Sequence, residues 1–166
     1  TAGGRFGIGG SCGVVTGADA TLLDREAAAR YDITVRASSA DGSTADTVFT
    51  VNLTDVDEFD VTAPTDADGT VNAVNENAAA GTAVGITASA SDADATTNAI
   101  TYSLAENAGG RFAIDGSTGV VTVADATLLD REAAASYDIT VRATSADGST
   151  ADTVFTVNLT DVDEFD

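Results

Sequence analysis

Hydrophobic and polar residues alternate with a period of two along most of this chain, which is the spacing of a β-strand rather than that of a helix. In the second half, the alternating runs are VGITASAS (84–91), AITYSL (99–104), GVVTV (119–123), YDITVRA (137–143) and TVFTVNLT (153–160). Segments rich in Asp, Asn, Gly and Ser separate these runs, as is typical of turns. One stretch, 125–135, could instead form a short helix. About seven short strands in roughly 100 residues predict an all-β fold, an antiparallel β-sandwich of immunoglobulin-like architecture.

The sequence repeats itself at an offset of 106 residues. Residues 2–60 align with 108–166, and only six of these 59 positions differ. We therefore predict two tandem sandwich units, in which 1–60 is the C-terminal part of one repeat and 61–166 is a complete repeat. An incomplete sandwich exposes strand edges and half a core. Two explanations stay open: the missing half precedes these residues in a longer chain, or strands from another chain complete it and build a filament.

Composition restricts the partners that the chain can bind. It carries 27 acidic residues against 7 arginines, with no lysine or histidine, and its net charge is -20. This charge excludes nucleic acid and anionic membrane surfaces as partners and favours cations. The single cysteine, Cys12, has no partner for a disulfide within the chain. Nothing in the sequence combines a nucleophile with an activating base, so we expect no enzyme activity.

Acidic residues recur in pairs that are two positions apart. The pairs are Asp92 with Asp94, Asp130 with Glu132, and Asp161 with Asp163, and the first copy repeats two of them as Asp24 with Glu26 and Asp55 with Asp57. Residues two apart in an extended chain point to the same side, so each pair offers two carboxylates to one point in space. Calcium takes six to eight oxygen ligands and is the leading candidate for such sites. The alternative is a solvated acidic surface without an ion.

The motifs of the complete unit resemble, in order, those of cadherin repeats, in particular the cadherin-like repeats of large bacterial surface proteins. The similar segments are NENAAAGT (75–82), SDADATTNAITYSL (91–104), FAIDGSTGVVTVADATLLDRE (112–132), YDITVRA (137–143) and LTDVDE (159–164). The resemblance implies a cadherin-type Greek-key β-sandwich in each repeat. Each of these motifs alone is weak evidence, but five in the same order and spacing are specific to the family.

The resemblance also implies calcium ions between successive domains. The ligands implied for the joint between the two units are Asp24, Glu26, Asp55, Asp57 and Glu58 from the first, with Asp92, Asp94 and the backbone carbonyl of Asn98 from the second. A second set of ligands would form half of a calcium site that a following domain completes. Its members are Glu76, Asp130, Glu132, Asp161, Asp163 and Glu164. Departures from the family pattern limit what the resemblance implies. In the linker, Asp57 replaces the family's asparagine, Glu58 its aspartate and Phe59 its second asparagine. Ser145 stands where many members carry an aspartate, and the first copy has no counterpart of Glu76.

We therefore expect an extracellular, calcium-rigidified repeat of a long bacterial cell-surface protein that acts in cell adhesion. Its expected partners are calcium and neighbouring repeats of the same protein. The alternatives are a recognition module for a polysaccharide or for a like domain, and a filament subunit that assembles by strand exchange. Aromatic residues make up 5% of the chain and tryptophan is absent, which disfavours a sugar-stacking platform.

Overall fold

The computed structural model describes residues 2–94 and 96–163, and the chain divides into two compact units, Thr1–Val56 and Asp57–Asp166. The first unit contains four strands, which are β1 (Phe6–Ile8), β2 (Val15–Gly17), β3 (Arg30–Ser38) and β4 (Thr44–Asn52). They form two antiparallel pairs, β1 with β2 and β3 with β4. A 3₁₀ turn at Ala20–Leu22 connects the two pairs.

The second unit contains eight strands and is a β-sandwich. The strands are β5 (Thr65–Asp66), β6 (Ala73–Asn75), β7 (Ala83–Ser89), β8 (Ile100–Glu106), β9 (Phe112–Ile114), β10 (Val120–Val123), β11 (Ser136–Ser145) and β12 (Thr150–Thr160). One four-stranded sheet has the order β5-β7-β10-β9 and the other has the order β6-β12-β11-β8. All pairings are antiparallel except that of β6 with β12. The all-β sandwich is confirmed, and each predicted run overlaps a strand.

The predicted helix at 125–135 is wrong, because the chain forms only a short 3₁₀ turn, Ala126–Leu128, followed by a second turn. The side chain of Asp125 caps the 3₁₀ turn by accepting a hydrogen bond from the amide of Thr127 at 2.9 Å. The carboxylate of Asp130 then accepts a hydrogen bond from the amide of Ala133 at 2.8 Å. Side chains that bind nearby amides in this way compete with helical hydrogen bonds, so the segment folds as two capped turns.

The core of the second unit lies between its two sheets. It consists of Val74, Val84, Ile86, Ala88, Phe112, Val121, Val123, Leu129, Ile139, Val141, Val157 and Leu159. The two-residue period explains the selection, since alternate residues of each strand face the other sheet. Burying one Val, Leu, Ile or Phe side chain stabilises a fold by about 1.5–3 kcal/mol, so this layer is the main stabilising element of the unit.

Strand pairing brings the acidic loops together at each end of the second unit. At one end, β6 pairs in parallel with β12, with Leu159 beside Val74 and Thr160 beside Asn75. The residues that follow these strands therefore lie side by side. At the other end, β8 pairs with β11 so that Ser145 lies opposite Ile100. This pairing places the loop before β8 next to the turn between β11 and β12.

Candidate metal centre

Glu76 is the central residue of an acidic cluster at one end of the second unit. It directly follows β6, and only 2% of its surface is exposed. Its two carboxylate oxygens accept hydrogen bonds from two backbone amides, that of Arg131 at 2.7 Å and that of Val162 at 2.7 Å. The carboxylate thus connects the turn that follows Leu129 to the segment that follows β12. The sequence motif identified Glu76 but did not indicate this dual role.

Two further carboxylates, those of Asp130 and Glu132, converge on Glu76. One oxygen from each of the three residues lies within 4.8 Å of the other two. The expectation that Asp130 and Glu132 share one side of an extended strand is wrong, because both lie in turns. We name Glu76, Asp130, Glu132 and Asp161 the Glu76 cluster.

The pKa values of two members of the Glu76 cluster are shifted in opposite directions. Hydrogen bonds from the amides of Val162 and Arg131 lower the pKa of Glu76 below its ordinary value of 4.5. The pKa of Glu132 is raised. Its own backbone amide favours the charged form, but desolvation and repulsion from Glu76, Asp161 and Asp130 outweigh that effect. Concentrated negative charge of this kind is what a bound cation would neutralise.

A second acidic cluster lies at the opposite end of the second unit. The side chain of Asp92 accepts a hydrogen bond from the amide of Asp94 at 3.0 Å. Asp94 itself is 1% exposed, and its carboxylate accepts hydrogen bonds from the amides of Glu58, at 3.3 Å, and Thr96, at 3.4 Å. We name Asp57, Asp92, Asp94 and Asp147 the Asp92 cluster. Asp92 and Asp94 lie in a loop rather than in a strand.

Asn98 has a structural role in this loop. Its side-chain amide donates a hydrogen bond to the backbone carbonyl of Asp94 at 2.6 Å. This bond holds the Asn98 side chain against the backbone of the loop that carries Asp94. The predicted role of Asn98, as a carbonyl ligand of calcium, stays a prediction.

Ser145 and Asp147 belong to this end of the unit. The sequence analysis noted Ser145 only as a departure from the family pattern and did not place Asp147 in the site. The hydroxyl of Ser145, which is 3% exposed, donates hydrogen bonds to the carboxylate of Asp92 and to the carbonyl of Thr97. The amide of Asp147 donates to the same Thr97 carbonyl at 3.2 Å. Serine at position 145 therefore supports the loop of Asp92 by hydrogen bonding. Asp147 lies in SADGST (145–150), one of the segments rich in Asp, Gly and Ser that we interpreted only as turns.

The Asp92 cluster also contains opposing pKa shifts. Desolvation, followed by repulsion from Asp147, Asp94, Asp92 and Asp60, raises the pKa of Asp57. The pKa of Asp92 is lowered, mainly by the hydroxyl of Ser145 and then by the amide of Asp94. The backbone after Asp57 is fixed to the unit, because the amide of Val61 donates to the hydroxyl of Ser149 at 2.9 Å. Position 57 is thus held close to the other carboxylates.

The acidic residues of the first unit have a local geometry like that of the second. The carboxylate of Asp24 accepts a hydrogen bond from the amide of Ala27 at 2.8 Å, as Asp130 does from Ala133. Asp24 and Glu26 are exposed and Asp55 is half-buried. Whether these three residues bind an ion stays a prediction, as it does for Glu58, Asp161 and Asp163. Glu164 lies outside the described residues.

The donor set fits a hard cation. Every candidate ligand is an oxygen atom, the chain has no histidine, and its one cysteine, Cys12, is exposed and lies in neither cluster. Oxygen-only sites suit calcium and magnesium, whereas zinc and copper prefer nitrogen and sulfur ligands. Within the part of the chain that the structure describes, no helix is long and apolar enough to cross a membrane.

Comparisons with known proteins concern the family and the fold of the chain. The family profile described as "Cadherin domain" matches residues 70–160. The chain is 34% identical over 143 residues to Cadherin-4 of Caenorhabditis elegans, and the alignment covers 86% of this chain and 3% of that protein. It is 37% identical over 150 residues to Protein dachsous of Drosophila melanogaster, and that alignment covers 86% of this chain and 4% of that protein. The chain therefore spans only a small part of these relatives.

Solved structures show the same fold. The crystal structure of mouse Cadherin-23 EC22-24 matches with a TM-score of 0.74 and 27% identity, covering 97% of this chain and 51% of that chain. The crystal structure of chicken VE-cadherin EC1-2 matches with a TM-score of 0.64 and 29% identity, covering 95% of this chain and 78% of that chain.

Proposed function

Because the chain belongs to the cadherin family, we propose that it consists of calcium-binding adhesion repeats from an extracellular cell-surface protein. The observation that carries this proposal is the Glu76 cluster. Three carboxylate oxygens from different parts of one unit lie within 4.8 Å of one another. Carboxylates this close repel each other unless a cation lies among them. Family membership then selects calcium from the hard cations that the oxygen ligands allow.

The protein residues have distinct tasks in this proposal. Asp130 and Glu132 supply carboxylate oxygens from the turn, and Asp161 supplies another from the segment after β12. Glu76 positions these two segments through its hydrogen bonds to the amides of Arg131 and Val162. Bound calcium would supply the positive charge that offsets the repulsion. The Asp92 cluster has the same chemistry and is the second proposed site.

A finer proposal is that calcium stiffens the junction between successive repeats. The family resemblance supports it, and the ligands implied for the first copy stay predictions. A stiff junction would extend the reach of a long surface protein and protect its linkers from proteases. The relatives named above are animal proteins, and the bacterial origin of the parent protein stays a prediction. Recognition of polysaccharide or of a like domain also stays a prediction.

A calcium titration tests the proposal. Thermal unfolding and hydrodynamic radius are measured on the whole chain as calcium is added after chelation. Extracellular calcium modules bind in the range of about 10⁻⁴–10⁻³ M, and stabilisation reaches about 2.7 kcal/mol at a calcium concentration of 100 times Kd. We therefore expect a higher melting temperature for the second unit and a change in radius. Magnesium at the same concentration, which needs a smaller octahedral site, should have a weaker effect.

A pair of variants assigns the response to the Glu76 cluster. Glu76→Gln removes one carboxylate charge from the cluster, and Glu106→Gln removes one charge from an exposed position at the end of β8. Glu76→Gln should abolish most of the calcium-dependent stabilisation, whereas Glu106→Gln should retain it. An equal calcium response in both variants would contradict the Glu76 site. No response in the unsubstituted chain would contradict calcium binding as the function.

A further inference from the structure

Position 145, at the end of β11, carries a serine where many members of the family carry an aspartate. The hydroxyl of this buried serine donates hydrogen bonds to the carboxylate of Asp92 and to the carbonyl of Thr97. A hydroxyl that donates in this way supports the loop but brings no negative charge to a cation. The Asp92 cluster therefore lacks one carboxylate at the place where the family pattern has it.

Asp147 brings a carboxylate to the same end of the unit from two residues further along the chain. Its amide donates to the carbonyl of Thr97 at 3.2 Å, so Asp147 and Ser145 contact the same carbonyl of the loop. After desolvation, repulsion from Asp147 is the largest cause of the raised pKa of Asp57. The Asp147 side chain also interacts with that of Asp92, whose pKa is lowered mainly by the Ser145 hydroxyl. The carboxylate of Asp147 therefore lies among the other acids of the Asp92 cluster.

Ser149 fixes the orientation of the Asp147 carboxylate. The amide of Ser149 donates to one carboxylate oxygen at 2.6 Å, and its hydroxyl donates to the other at 3.1 Å. The same hydroxyl accepts a hydrogen bond from the amide of Val61 at 2.9 Å. A carboxylate offers about four acceptor positions, so Asp147 can hold a cation while it keeps both bonds to Ser149. The ligand is then connected through Ser149 to the segment that follows Asp57.

Asp41, the counterpart of Asp147 in the first copy, lies in a turn of the same local geometry. The amide of Ser43 donates to its carboxylate at 2.9 Å, as the amide of Ser149 does to Asp147. Hydrogen bonds from Ser43 and Ser39 lower the pKa of Asp41, and no carboxylate among the described residues contributes to that shift. The turn by itself therefore does not place an aspartate among other acids. Asp41 is a matched control for Asp147.

We propose that Asp147 is a calcium ligand that replaces the aspartate missing at position 145, while Ser145 orients Asp92. This inference rests on the proposed function, and it assigns a ligand at a position outside the family pattern. Moving the carboxylate from the end of β11 into the following turn keeps the number of charged ligands at this end of the unit unchanged. The new position also connects the ligand to the amide of Val61, so loading the site should order residues 57–61.

Calorimetric titration of the whole chain with calcium tests this assignment. Every sample carries Glu76→Gln, which removes a charge from the Glu76 cluster, so that the Asp92 cluster contributes more of the signal. Asp147→Asn removes the charge but keeps an oxygen that can accept from the Ser149 amide. Because calcium affinity depends on the number of charged ligands, Asp147→Asn should weaken binding at least about tenfold and Asp41→Asn less than about twofold. Equal affinities in the two variants would overturn the proposal.

Two further measurements on the same variants distinguish a ligand from a residue that only stabilises the turn. In chelator, Asp147→Asn removes repulsion from Asp57, so the melting temperature of the second unit should stay the same or rise. In calcium, the melting temperature of this variant should fall below that of Asp41→Asn. Hydrogen exchange of residues 57–61 should slow with calcium in Asp41→Asn but not in Asp147→Asn. A loss of stability by Asp147→Asn that is equal in chelator and in calcium would overturn the proposal.

A double variant tests the replacement directly. Ser145→Asp combined with Asp147→Asn returns the carboxylate to the position of the family pattern, and calcium affinity should recover to within about threefold of the parent. A folded double variant that binds no better than Asp147→Asn would overturn the replacement, and if it does not fold, the two single variants decide. Absence of calcium binding in the parent would overturn the proposed function of the Asp92 cluster together with this inference. Equal binding by Asp147→Asn and Asp41→Asn would overturn this inference alone.

Discussion

The two units carry nearly the same sequence but differ in how much of it they bury. Only six of 59 aligned positions differ. The β3–β4 pair of the first unit also has the same register as the β11–β12 pair of the second, from Arg30 opposite Asn52 to Ser38 opposite Thr44. The hairpin is therefore specified locally. The burial of the hairpin is not specified locally, since Val141 is fully buried, whereas Val35 at the matched position is half-buried and Phe49 beside it is 52% exposed.

This difference separates two contributions to the fold. Alternation and turn residues determine the strands and their register. Burial requires a second layer, and the residues of that layer lie elsewhere in the sequence. A matched substitution in the two copies therefore measures what the second layer adds, because the local sequence is held constant.

The largest effect is expected from a charge introduced into the core. Val121→Asp places a carboxylate in a site with no exposed surface, and an uncompensated buried charge costs about 3–5 kcal/mol. Val15→Asp at the matched position should cost less than about 1 kcal/mol, because solvent reaches it. Urea unfolding, followed by hydrogen exchange of mass-distinct peptides, measures each unit. Equal losses in the two units would show that Val15 is covered as Val121 is.

A smaller difference is expected at the serine that supports the Asp92 loop. Ser145 is 3% exposed and donates to Asp92 and to the carbonyl of Thr97. Ser145→Ala removes a hydrogen bond to the charged, half-buried carboxylate of Asp92 and should cost about 1–2 kcal/mol. Ser39 is the exposed counterpart, so Ser39→Ala should be nearly neutral. The free energies of unfolding without calcium check this pair, and a neutral Ser145→Ala would contradict the supporting role.

Most of the fold could be predicted from the sequence because strands follow a local rule. The period of two located the five longest alternating runs of the second unit. The short helix suggested for 125–135 does not form. The carboxylates of Asp125 and Asp130 accept hydrogen bonds from nearby amides and so stabilise turns. Capping by side chains depends on local geometry that composition alone does not reveal.

The candidate site could be predicted only in part. Motif order selected Glu76, Asp130 and Glu132, and the structure places them together. The reason given for pairs two residues apart was wrong for Asp130 and Glu132, since a turn and not an extended strand brings their carboxylates together. Asp147 was missed because its proximity to Asp57 and Asp92 depends on the pairing of β8 with β11. Contacts between distant loops follow from tertiary structure and leave no periodic signal.

Acid should destabilise the second unit mainly through Glu76 and Asp92, which have no aligned counterpart in residues 2–60. Glu76 and Asp92 have lowered pKa values, so they contribute stability that is present above their ordinary values and is lost as pH falls through the folded values. Asp57 and Glu132 have raised pKa values, and they protonate first, which relieves repulsion. Without calcium, the melting temperature should therefore rise slightly as pH falls towards about 5 and then drop below about 4.

The variant Glu76→Gln tests whether Glu76 causes the fall in melting temperature at low pH. The variant should flatten the drop below about pH 4, while Glu106→Gln should leave the profile unchanged. The measurement is thermal unfolding between pH 7 and 3 in chelator. A profile that falls steadily from neutral pH in the unsubstituted chain would contradict the relief of repulsion at Asp57 and Glu132.

The smallest effect is expected where the two units are alike. The guanidinium of Arg36 contacts the carboxylate of Asp46 at 2.7 Å, and that of Arg142 contacts Asp152 at 2.8 Å. Both pairs are exposed, and exposed ion pairs contribute little because solvent screens them. Arg36→Gln and Arg142→Gln should each shift the melting temperature of their unit by less than about 2 °C. Because these pairs lie on the outer face of the same hairpin, a second layer on the inner face should not change their contribution. A large loss for Arg142→Gln alone would mean that completing the sandwich also orders the outer face, and the hairpin would then not be an independent local structure.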